Sequence, residues 1–281
     1  MGVPDGTSFP ADWMVDTATL IADGLGGKVW QVVRARGGMA VVKQASEAGR
    51  EDARRGGDFL RWRGGRGAVH LIDRRGDLSL LEHVAGGDLL TQLDTLGDDE
   101  ATRIAADVLR LLHAPSPAPW PASLQPLPDH FASLFAKARL DRQAGRHSLF
   151  VEAAQRADAL LADQQDVRPL HGDIHHENIL RGTRGWLAID PKGLIGDPAY
   201  DFANLFYNPL ERDDLRADPE RARRMAAILA QASGREAGVI LDFGFCHACL
   251  SASWHVEDGN HDEAARSLGV AETLRAACLR P

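Results

Sequence analysis

The chain has 281 residues, 44% of them hydrophobic and 26% charged, which are usual proportions for a soluble globular protein large enough for two lobes. A formal net charge of -8 at pH 7 and the lack of a basic stripe argue against a nucleic-acid-binding protein. No apolar run is long enough to span a membrane, and three cysteines are too few for a disulfide framework. The composition therefore predicts a cytoplasmic protein without nucleic-acid or membrane partners, and we expect a monomer.

The first part of the chain predicts a small antiparallel sheet with one inserted helix. β-Rich runs cover residues 27–36 and 39–44, and Gly37 and Gly38 between them favour a hairpin turn. A helix is predicted for residues 46–62, although two glycines weaken its middle. Two further short strands follow this helix.

The remainder of the chain has mostly helical periodicity. Helices are predicted for residues 99–113, 129–144 and 149–163, and three more lie in the C-terminal third. The order of elements therefore predicts an α+β fold with two lobes. We expect a small β-rich lobe with one helix in residues 1–84 and a larger α-helical lobe in residues 85–281.

The segment HGDIHHENIL, residues 171–180, contains three histidines, an aspartate, a glutamate and an asparagine. Imidazoles and carboxylates are ligands for zinc or iron, and on a strand His171, Asp173 and His175 would share one face. However, the helical H-E-x-x-H pattern of zinc proteases is missing, and no second ligand cluster stands out. A metal hydrolase thus remains one hypothesis for this segment, based on the types of its side chains and not on their spacing.

Spacing favours a different chemistry, phosphoryl transfer. Asp173 and Asn178 are five residues apart and His171 precedes them, as in the catalytic loop of protein kinases. A short strand then ends at Asp190, where a carboxylate suits a second magnesium ligand. Upstream, the strand MAVVKQ carries a lone lysine, Lys43, which suits phosphate oxygens. Chance rarely supplies these four residues in this order.

At this level of detail the sequence resembles the aminoglycoside phosphotransferases, small-molecule kinases with a protein-kinase-like bilobal fold. More narrowly, it is similar to their streptomycin 6-phosphotransferase and hydroxyurea kinase branch. The resemblance extends over about residues 60–254. It rests on the stretches WRGGRGAVHL, LHGDIHHENIL, RGWLAIDPKGLIGDPAYDFANLFYNP and CLSASW.

The resemblance implies a role for each residue of the kinase pattern, with ATP and Mg²⁺ as cofactors. Asp173 would be the catalytic base that accepts or orients the substrate hydroxyl. Asn178 and Asp190 would bind magnesium, and Lys43 would bind phosphate. The backbone of Glu82 to Val84 would meet the adenine edge at the hinge between the lobes.

Two further residues are expected to support the loop. His171 would anchor it, and Asp201 would begin a helix and form hydrogen bonds with the loop from beneath. One departure concerns the nucleotide loop, which lacks G-x-G-x-x-G and offers Gly24, Gly26 and Gly27 at a different spacing. Looser nucleotide loops are typical of the family that the chain resembles.

A second departure concerns the carboxylate that would pair with Lys43. Glu47, Glu51 and Asp52 all lie in or next to the helix that follows this lysine. Among the three we favour Glu51, with a solvent-exposed helix face as the alternative.

The substrate implied by the resemblance is a cationic aminoglycoside, most specifically streptomycin phosphorylated at its 6-hydroxyl, which would give antibiotic resistance. A guanidinium group pairs well with carboxylates, so Glu257 and Asp258 beside Trp254 are the expected substrate-binding residues. Trp254 also fits a buried helical stripe. The alternatives are a kinase of another small hydroxylated compound such as hydroxyurea, and a non-catalytic nucleotide-binding regulatory module.

Overall fold

Five antiparallel strands form the N-terminal sheet of the computed structural model, which describes residues 8–278. In space they follow the order β1-β2-β3-β5-β4, so β1 and β4 are the edges. A single helix, α1 (Arg50–Arg63), connects β3 to β4, which gives the expected sheet with one inserted helix. The strands are β1 (Val15–Gly24), β2 (Gly27–Arg34), β3 (Gly38–Ala45), β4 (Leu71–Arg75) and β5 (Leu78–Glu82).

Strand β1 is absent from the sequence-based prediction. Most of its residues are exposed, because it pairs with β2 alone at the edge of the sheet. Burial therefore imposes little alternation of apolar and polar residues, which is the pattern by which strands are recognised. Two register shifts, at Val15/Thr17 and Leu20/Ala22, break the remaining periodicity.

Helix α1 uses its two central glycines for close packing. A Cβ atom at Gly56 would overlap the carbonyl oxygen of Pro191, and one at Gly57 would lie 2.7 Å from Nη1 of Arg74. The helix ends at Gly64, whose φ of 55° is readily adopted only without a side chain. The glycines that weaken the helix in isolation thus let it approach the chain around Pro191.

The C-terminal part is built mainly from helices. The predicted segment 129–144 is divided into two helices at Phe131, whose side chain is fully buried. The helices are α2 (Leu93–Leu96), α3 (Asp98–His113), α4 (Leu127–His130), α5 (Ala132–Gln143), α6 (Leu149–Ala162), α7 (Ala203–Tyr207), α8 (Asp213–Arg216), α9 (Pro219–Ser233), α10 (Ala237–Glu257) and α11 (His261–Cys278).

Helix α10 lies at the centre of this helical part. It packs against α5, α6, α7, α9 and α11, and it is long and apolar enough to cross a membrane. However, 72% of its most apolar window is buried inside the protein, which is typical of a core helix.

Five short strands position the segment between residues 168 and 196. β7 pairs antiparallel with β10, which also pairs in parallel with β6, while β8 and β9 form a separate hairpin. The strands are β6 (Gln125–Pro126), β7 (Arg168–Leu170), β8 (Ile179–Gly182), β9 (Gly185–Ala188) and β10 (Leu194–Gly196).

The main apolar core continues from the helical part into α1, since Phe59 and Leu60 belong to it. A second, smaller core lies in the sheet and includes Trp30, Val32 and Val42. The α+β architecture agrees with the prediction, and the lobe boundary between residues 84 and 85 stays a prediction.

A buried arginine attaches α1 to the end of α3. The side chain of Arg63 is fully buried and donates hydrogen bonds to the carbonyl oxygens of Arg66, Leu111 and Ala114, at 3.2, 2.7 and 2.9 Å. Burial lowers the pKa of Arg63 to about 10, which leaves the guanidinium charged at neutral pH. Arg63 therefore fixes the position of α1 relative to the helical part.

Replacing this residue tests its contribution to stability. We expect Arg63→Met to lower the free energy of unfolding by about 2–4 kcal/mol, because three carbonyl groups lose a charged donor. The neighbouring Arg61 is mostly exposed and pairs with Asp58, so Arg61→Met should change stability by less than about 0.5 kcal/mol. Urea unfolding measures both variants, and equal effects would contradict the anchoring role.

Candidate active site

The segment 171–178 forms a loop between β7 and β8. Its far end is fixed by the β8–β9 hairpin, in which Ile179 pairs with Ala188. One step beyond this pair, the N–H group of Ile189 donates to the carbonyl oxygen of Asn178 at 2.9 Å. The hairpin therefore brings Asn178 next to Asp190, although twelve positions separate them in the sequence.

The near end of the loop is held by Asp201. Its carboxylate accepts hydrogen bonds from the N–H groups of His171 and Gly172, at 3.0 and 2.6 Å, and contacts Nε2 of His113 on α3 at 2.8 Å. Asp201 does not begin a helix, since it lies within the 3₁₀ helix Pro198–Phe202 that Asp197 caps. The expectation of a helix-initiating Asp201 is therefore wrong, whereas its contact with the loop is present.

His171 connects the two sides of the loop through both of its ring nitrogens. Nε2 lies 2.8 Å from the carbonyl oxygen of Ile189, and Nδ1 accepts from the N–H group of Asp173 at 3.2 Å. Burial lowers the pKa of His171 to about 4, so the ring is neutral with its proton on Nε2. Neither nitrogen is free to bind a metal ion.

A transition-metal centre finds no support in the rest of the described structure. Among residues 8–278, no group of three or more His, Cys, Asp or Glu side chains is arranged to hold a metal ion. The side chain of His176 is buried in the packing of the loop. Its carbonyl oxygen accepts a hydrogen bond from the N–H group of Leu89 at 3.1 Å.

Asp173 presents a partly enclosed carboxylate. Its Oδ1 accepts a hydrogen bond from Nδ2 of Asn204 on α7 at 2.7 Å. Burial raises the pKa of Asp173 to about 7, while Lys192 and Lys43 oppose the rise. A carboxyl group with a pKa near neutrality can accept a proton from an alcohol far better than an ordinary aspartate.

Asn178 and Asp190 both carry side-chain oxygen atoms that suit a metal ion. Nδ2 of Asn178 donates to the carbonyl oxygen of Asp173 at 2.9 Å, which leaves its Oδ1 without a partner among residues 8–278. Asp190 is half-exposed and forms an ion pair with Lys43. Oxygen donors of this kind suit a hard cation such as Mg²⁺.

The backbone of Asp190 is strained, with a φ of 57° in the left-handed region. Its carboxylate lies beside Lys43, so the pKa of Asp190 is lower than usual although burial opposes this. Strain at a residue with an exposed charged group is a feature of functional sites.

Glu51 does not pair with Lys43, so this expectation is wrong. Ala53 and Gly56 of α1 line the cleft next to Lys43, and position 51 lies about 200° around the helix from position 53. Glu51 therefore faces solvent, where it binds Arg54 at 2.9 Å. The partner of Lys43 in this structure is Asp190.

A cavity of about 260 Å³ lies between the sheet and the helical part. It is bounded by Lys43, Asp190 and the segment 82–84, and its other walls are mainly apolar: Val29, Val41, Leu71, Leu81, Leu180 and Ile189. The N–H group of Val84, just beyond the end of β5, has no backbone hydrogen-bond partner among residues 8–278. An apolar slot next to a free backbone donor fits a nucleotide base.

Within this hinge, the side chain of Glu82 has a structural function. Its Oε2 accepts from the N–H group of His70 at 2.9 Å and from Nη2 of Arg184 at 2.5 Å. The N–H group of Glu82 donates to the carbonyl oxygen of His70 at 2.9 Å, so the backbone carbonyl oxygen is the group of Glu82 that remains open to a ligand.

The glycine-rich turn between β1 and β2 is tied to the loop that precedes α1. Gly24 pairs with Gly27 across the turn, and the N–H group of Ser46 donates to the carbonyl oxygen of Gly26 at 3.1 Å. At Gly27, with a φ of 125°, a side chain would overlap the backbone of Gln44. The turn is a tight hairpin instead of a long phosphate loop.

The three expected substrate-binding residues lie near the end of α10. The ring of Trp254 contacts the rings of His130 and His247, with centroids 5.3 and 6.4 Å apart. Glu257 is exposed and accepts a hydrogen bond from Oγ of Ser133 at 2.6 Å, and Asp258 is exposed at the helix end. Trp254 thus contacts His247, which is linked to Asp173 through Asn204. On α10 it lies about one helical turn before Glu257 and Asp258.

Several residues around the site were missed by the sequence analysis. Asn204 orients Asp173, and Lys192 lies 3.3 Å from Asp52 and raises the ionised fraction of Asp173. The available signal was a polar residue inside an otherwise apolar helical stretch, which describes both Asn204 and His247. Such a residue is buried only when its hydrogen bonds are satisfied.

Comparison with known proteins places this geometry in a family. Residues 12–259 match the family described as aminoglycoside/hydroxyurea antibiotic resistance kinase. The chain is 36% identical to a streptomycin 3''-kinase of Klebsiella pneumoniae over 89% of this chain and 92% of that protein. It is 30% identical to a streptomycin 6-kinase of Streptomyces griseus over 90% of this chain and 83% of that protein. A hydroxyurea phosphotransferase of Kitasatospora aureofaciens is 32% identical over 95% of this chain and 76% of that protein.

Solved structures share the fold at lower identity. Aminoglycoside phosphotransferase APH(4)-Ia, in a ternary complex with AMP-PNP and hygromycin B, aligns with a TM-score of 0.62 at 17% identity, covering 94% of each chain. A choline/ethanolamine kinase family protein from Mesorhizobium loti aligns with a TM-score of 0.65 at 16% identity, over 95% of this chain and 90% of that one. The protein-kinase-like fold and the family prediction are therefore confirmed, and the chain belongs to the aminoglycoside/hydroxyurea antibiotic resistance kinases, an enzyme family of O-phosphotransferases.

Proposed function

We propose that this chain transfers the γ-phosphate of ATP to a hydroxyl group of streptomycin in a magnesium-dependent reaction, and thereby confers resistance. One observation carries the proposal: hydrogen bonds within one loop and one hairpin bring Asp173 and Asn178 next to Asp190, which lines the cleft together with Lys43 and pairs with it. Two relatives named streptomycin kinases support this acceptor, and the AMP-PNP complex of a structural neighbour supports ATP as the phosphate donor.

In the proposed mechanism, Asp173 accepts the proton of the acceptor hydroxyl as the new phosphate ester bond forms. Lys43 stabilises negative charge on phosphate oxygens, and the backbone of the segment 82–84 orients the base. Asn178 and Asp190 would hold Mg²⁺, which supplies charge stabilisation on the phosphate groups when it is bound. Positioning and electrostatics account for most of the rate in such a reaction.

The acceptor position has two candidates. The sequence predicts the 6-hydroxyl of streptomycin, and the greater identity to a relative named streptomycin 3''-kinase supports the 3''-hydroxyl as the second candidate. Two-dimensional ¹H–³¹P NMR of the purified product identifies the phosphorylated oxygen.

We further propose that the enzyme is a cytoplasmic monomer. Cell fractionation tests the location, and light scattering tests the oligomeric state.

An ADP-release assay tests the acceptor itself. It compares streptomycin, other aminoglycosides and hydroxyurea, with Asp173→Ala as the blank. A relative named hydroxyurea phosphotransferase supports hydroxyurea as the second acceptor. Absence of activity above the blank with every acceptor would favour a non-catalytic nucleotide-binding module.

The first kinetic prediction concerns the catalytic carboxylate. Asp173→Asn keeps an oxygen for Asn204 but cannot accept a proton, so kcat should fall by about 10²–10⁴-fold while KM for ATP changes little. Steady-state kinetics with streptomycin measures the effect. Asp107→Asn, an exposed change on α3, is the control. Full activity of Asp173→Asn would contradict the proposed base.

The second prediction concerns magnesium. Asp190→Asn retains an oxygen donor and a residue type that tolerates a positive φ, but it removes the negative charge. We expect the Mg²⁺ concentration for half-maximal activity to rise by about tenfold or more, measured by magnesium titration at saturating ATP. An unchanged requirement would show that Asp190 is not a ligand, and EDTA should abolish activity of both proteins.

The third prediction concerns the acidic pair on α10. If Glu257 and Asp258 face the bound antibiotic, Glu257→Gln combined with Asp258→Asn should raise KM for streptomycin by about fivefold to fiftyfold with little change in kcat. Glu263→Gln, an exposed carboxylate on α11, serves as the control. If KM for streptomycin does not change, the substrate lies elsewhere in the cleft.

A further inference from the structure

A chain of buried polar side chains begins at the catalytic carboxylate and runs away from the nucleotide cleft. Asn204 contacts Asp173 through Nδ2 at 2.7 Å, and its Oδ1 lies 3.2 Å from Nε2 of His247. Nδ1 of His247 lies 3.0 Å from the hydroxyl of Tyr200, which in turn lies 2.9 Å from Nε2 of His130. Four hydrogen bonds therefore connect Asp173 with His130.

When Asp173 is ionised, as it must be to accept a proton, the chemistry of these groups fixes the direction of every bond. The carboxylate then only accepts, so Asn204 must present its NH₂ group to it and its oxygen to His247. His247 must then carry its proton on Nε2, and its bare Nδ1 must accept from the hydroxyl of Tyr200. The oxygen of Tyr200 accepts in turn from Nε2–H of His130. Each donor therefore points toward Asp173.

The surroundings keep the two imidazoles in the neutral state that this arrangement requires. Burial lowers the pKa of His247 to about 4 and that of His130 to about 3, so both rings carry a single proton at neutral pH. Tyr200 and His247 are almost fully buried within the core. A second donor to the oxygen of Asn204, Nδ2 of Asn208 at 3.0 Å, further opposes rotation of the amide.

We propose that Tyr200 and His247 act through Asn204 as positioning residues that orient the carboxylate of Asp173 toward the acceptor hydroxyl. If the Tyr200 hydroxyl is removed, His247 can carry its proton on Nδ1, so the oxygen of Asn204 loses one of its two donors and the amide is held less firmly with its NH₂ group toward Asp173. The far end of the chain reaches the ring of Trp254 through His130, with centroids 5.3 Å apart. The chain thus joins the base to the ring of Trp254. The inference rests on the proposed role of Asp173.

The two tyrosines of the protein provide a matched pair for the test. Tyr200→Phe removes the hydroxyl in the chain. Tyr207→Phe removes another buried hydroxyl, bound to Oγ of Ser267 at 2.7 Å, and keeps the contact of its ring with His247. We expect Tyr200→Phe to lower kcat by about tenfold with unchanged KM for ATP. Tyr207→Phe should stay within about twofold of the wild type in kcat.

A double-mutant cycle separates positioning from a general structural role. If Tyr200 acts only through Asp173, then Tyr200→Phe should cause no further loss of kcat in the Asp173→Asn background. An equal fold-loss in both backgrounds, or equal losses for Tyr200→Phe and Tyr207→Phe, would overturn the proposal. Wild-type activity that survives in Asp173→Asn would instead contradict the proposed catalytic base.

The tautomers of the histidines give a readout that does not depend on turnover. Long-range ¹H–¹⁵N NMR of the folded protein should show His130 and His247 as neutral rings with the proton on Nε2, assigned with His130→Gln and His247→Gln. In Tyr200→Phe, the His247 signals should shift toward a mixture of tautomers. A proton on Nδ1 of His247 in the wild type would overturn the proposed direction of the chain, whatever the enzyme phosphorylates.

Discussion

The carboxylate of Asp201 is the constraint on which the active site depends. It is buried and therefore needs partners, and it finds them in the N–H groups of His171 and Gly172 and in the ring of His113. These contacts fix the start of the loop 171–178 against α3 and the core. The position of Asp173 follows from them, because it is the next residue in the chain.

The other half of the site depends on a close approach between backbones. Gly56 of α1 leaves room for the carbonyl oxygen of Pro191, and a side chain at Gly193 would collide with the backbone of Arg55. These contacts hold the strained residue Asp190 beside Lys43 of the sheet. The strained φ angle of Asp190 persists because close packing at Pro191 and Gly193 fixes the backbone that follows it.

The sequence predicted correctly which residues lie close together where this depends on local order, and it predicted wrongly where it depends on the orientation of a helix. The spacing of Asp173, Asn178 and Asp190 is preserved because a loop and a hairpin carry all three. The predicted pair of Glu51 with Lys43 is wrong because the phase of α1 is set by the glycines that pack on Pro191. The closeness of Glu51 to Lys43 in the sequence does not determine which face of α1 is turned toward the cleft.

The sequence by itself determined the family and the two-lobed α+β fold, and it predicted the residues proposed to carry phosphoryl transfer, because these follow from local spacing and element order. Only the tertiary structure revealed that Asn204, His247 and Tyr200 form a chain of hydrogen bonds that ends at Asp173. Asn204 lies on α7, Tyr200 in the 3₁₀ helix Pro198–Phe202 and His247 on the central helix α10, and α10 meets the other two only when the core is packed. A buried hydrogen-bond chain links residues distant in sequence, and its members can be recognised only once burial and partners are known.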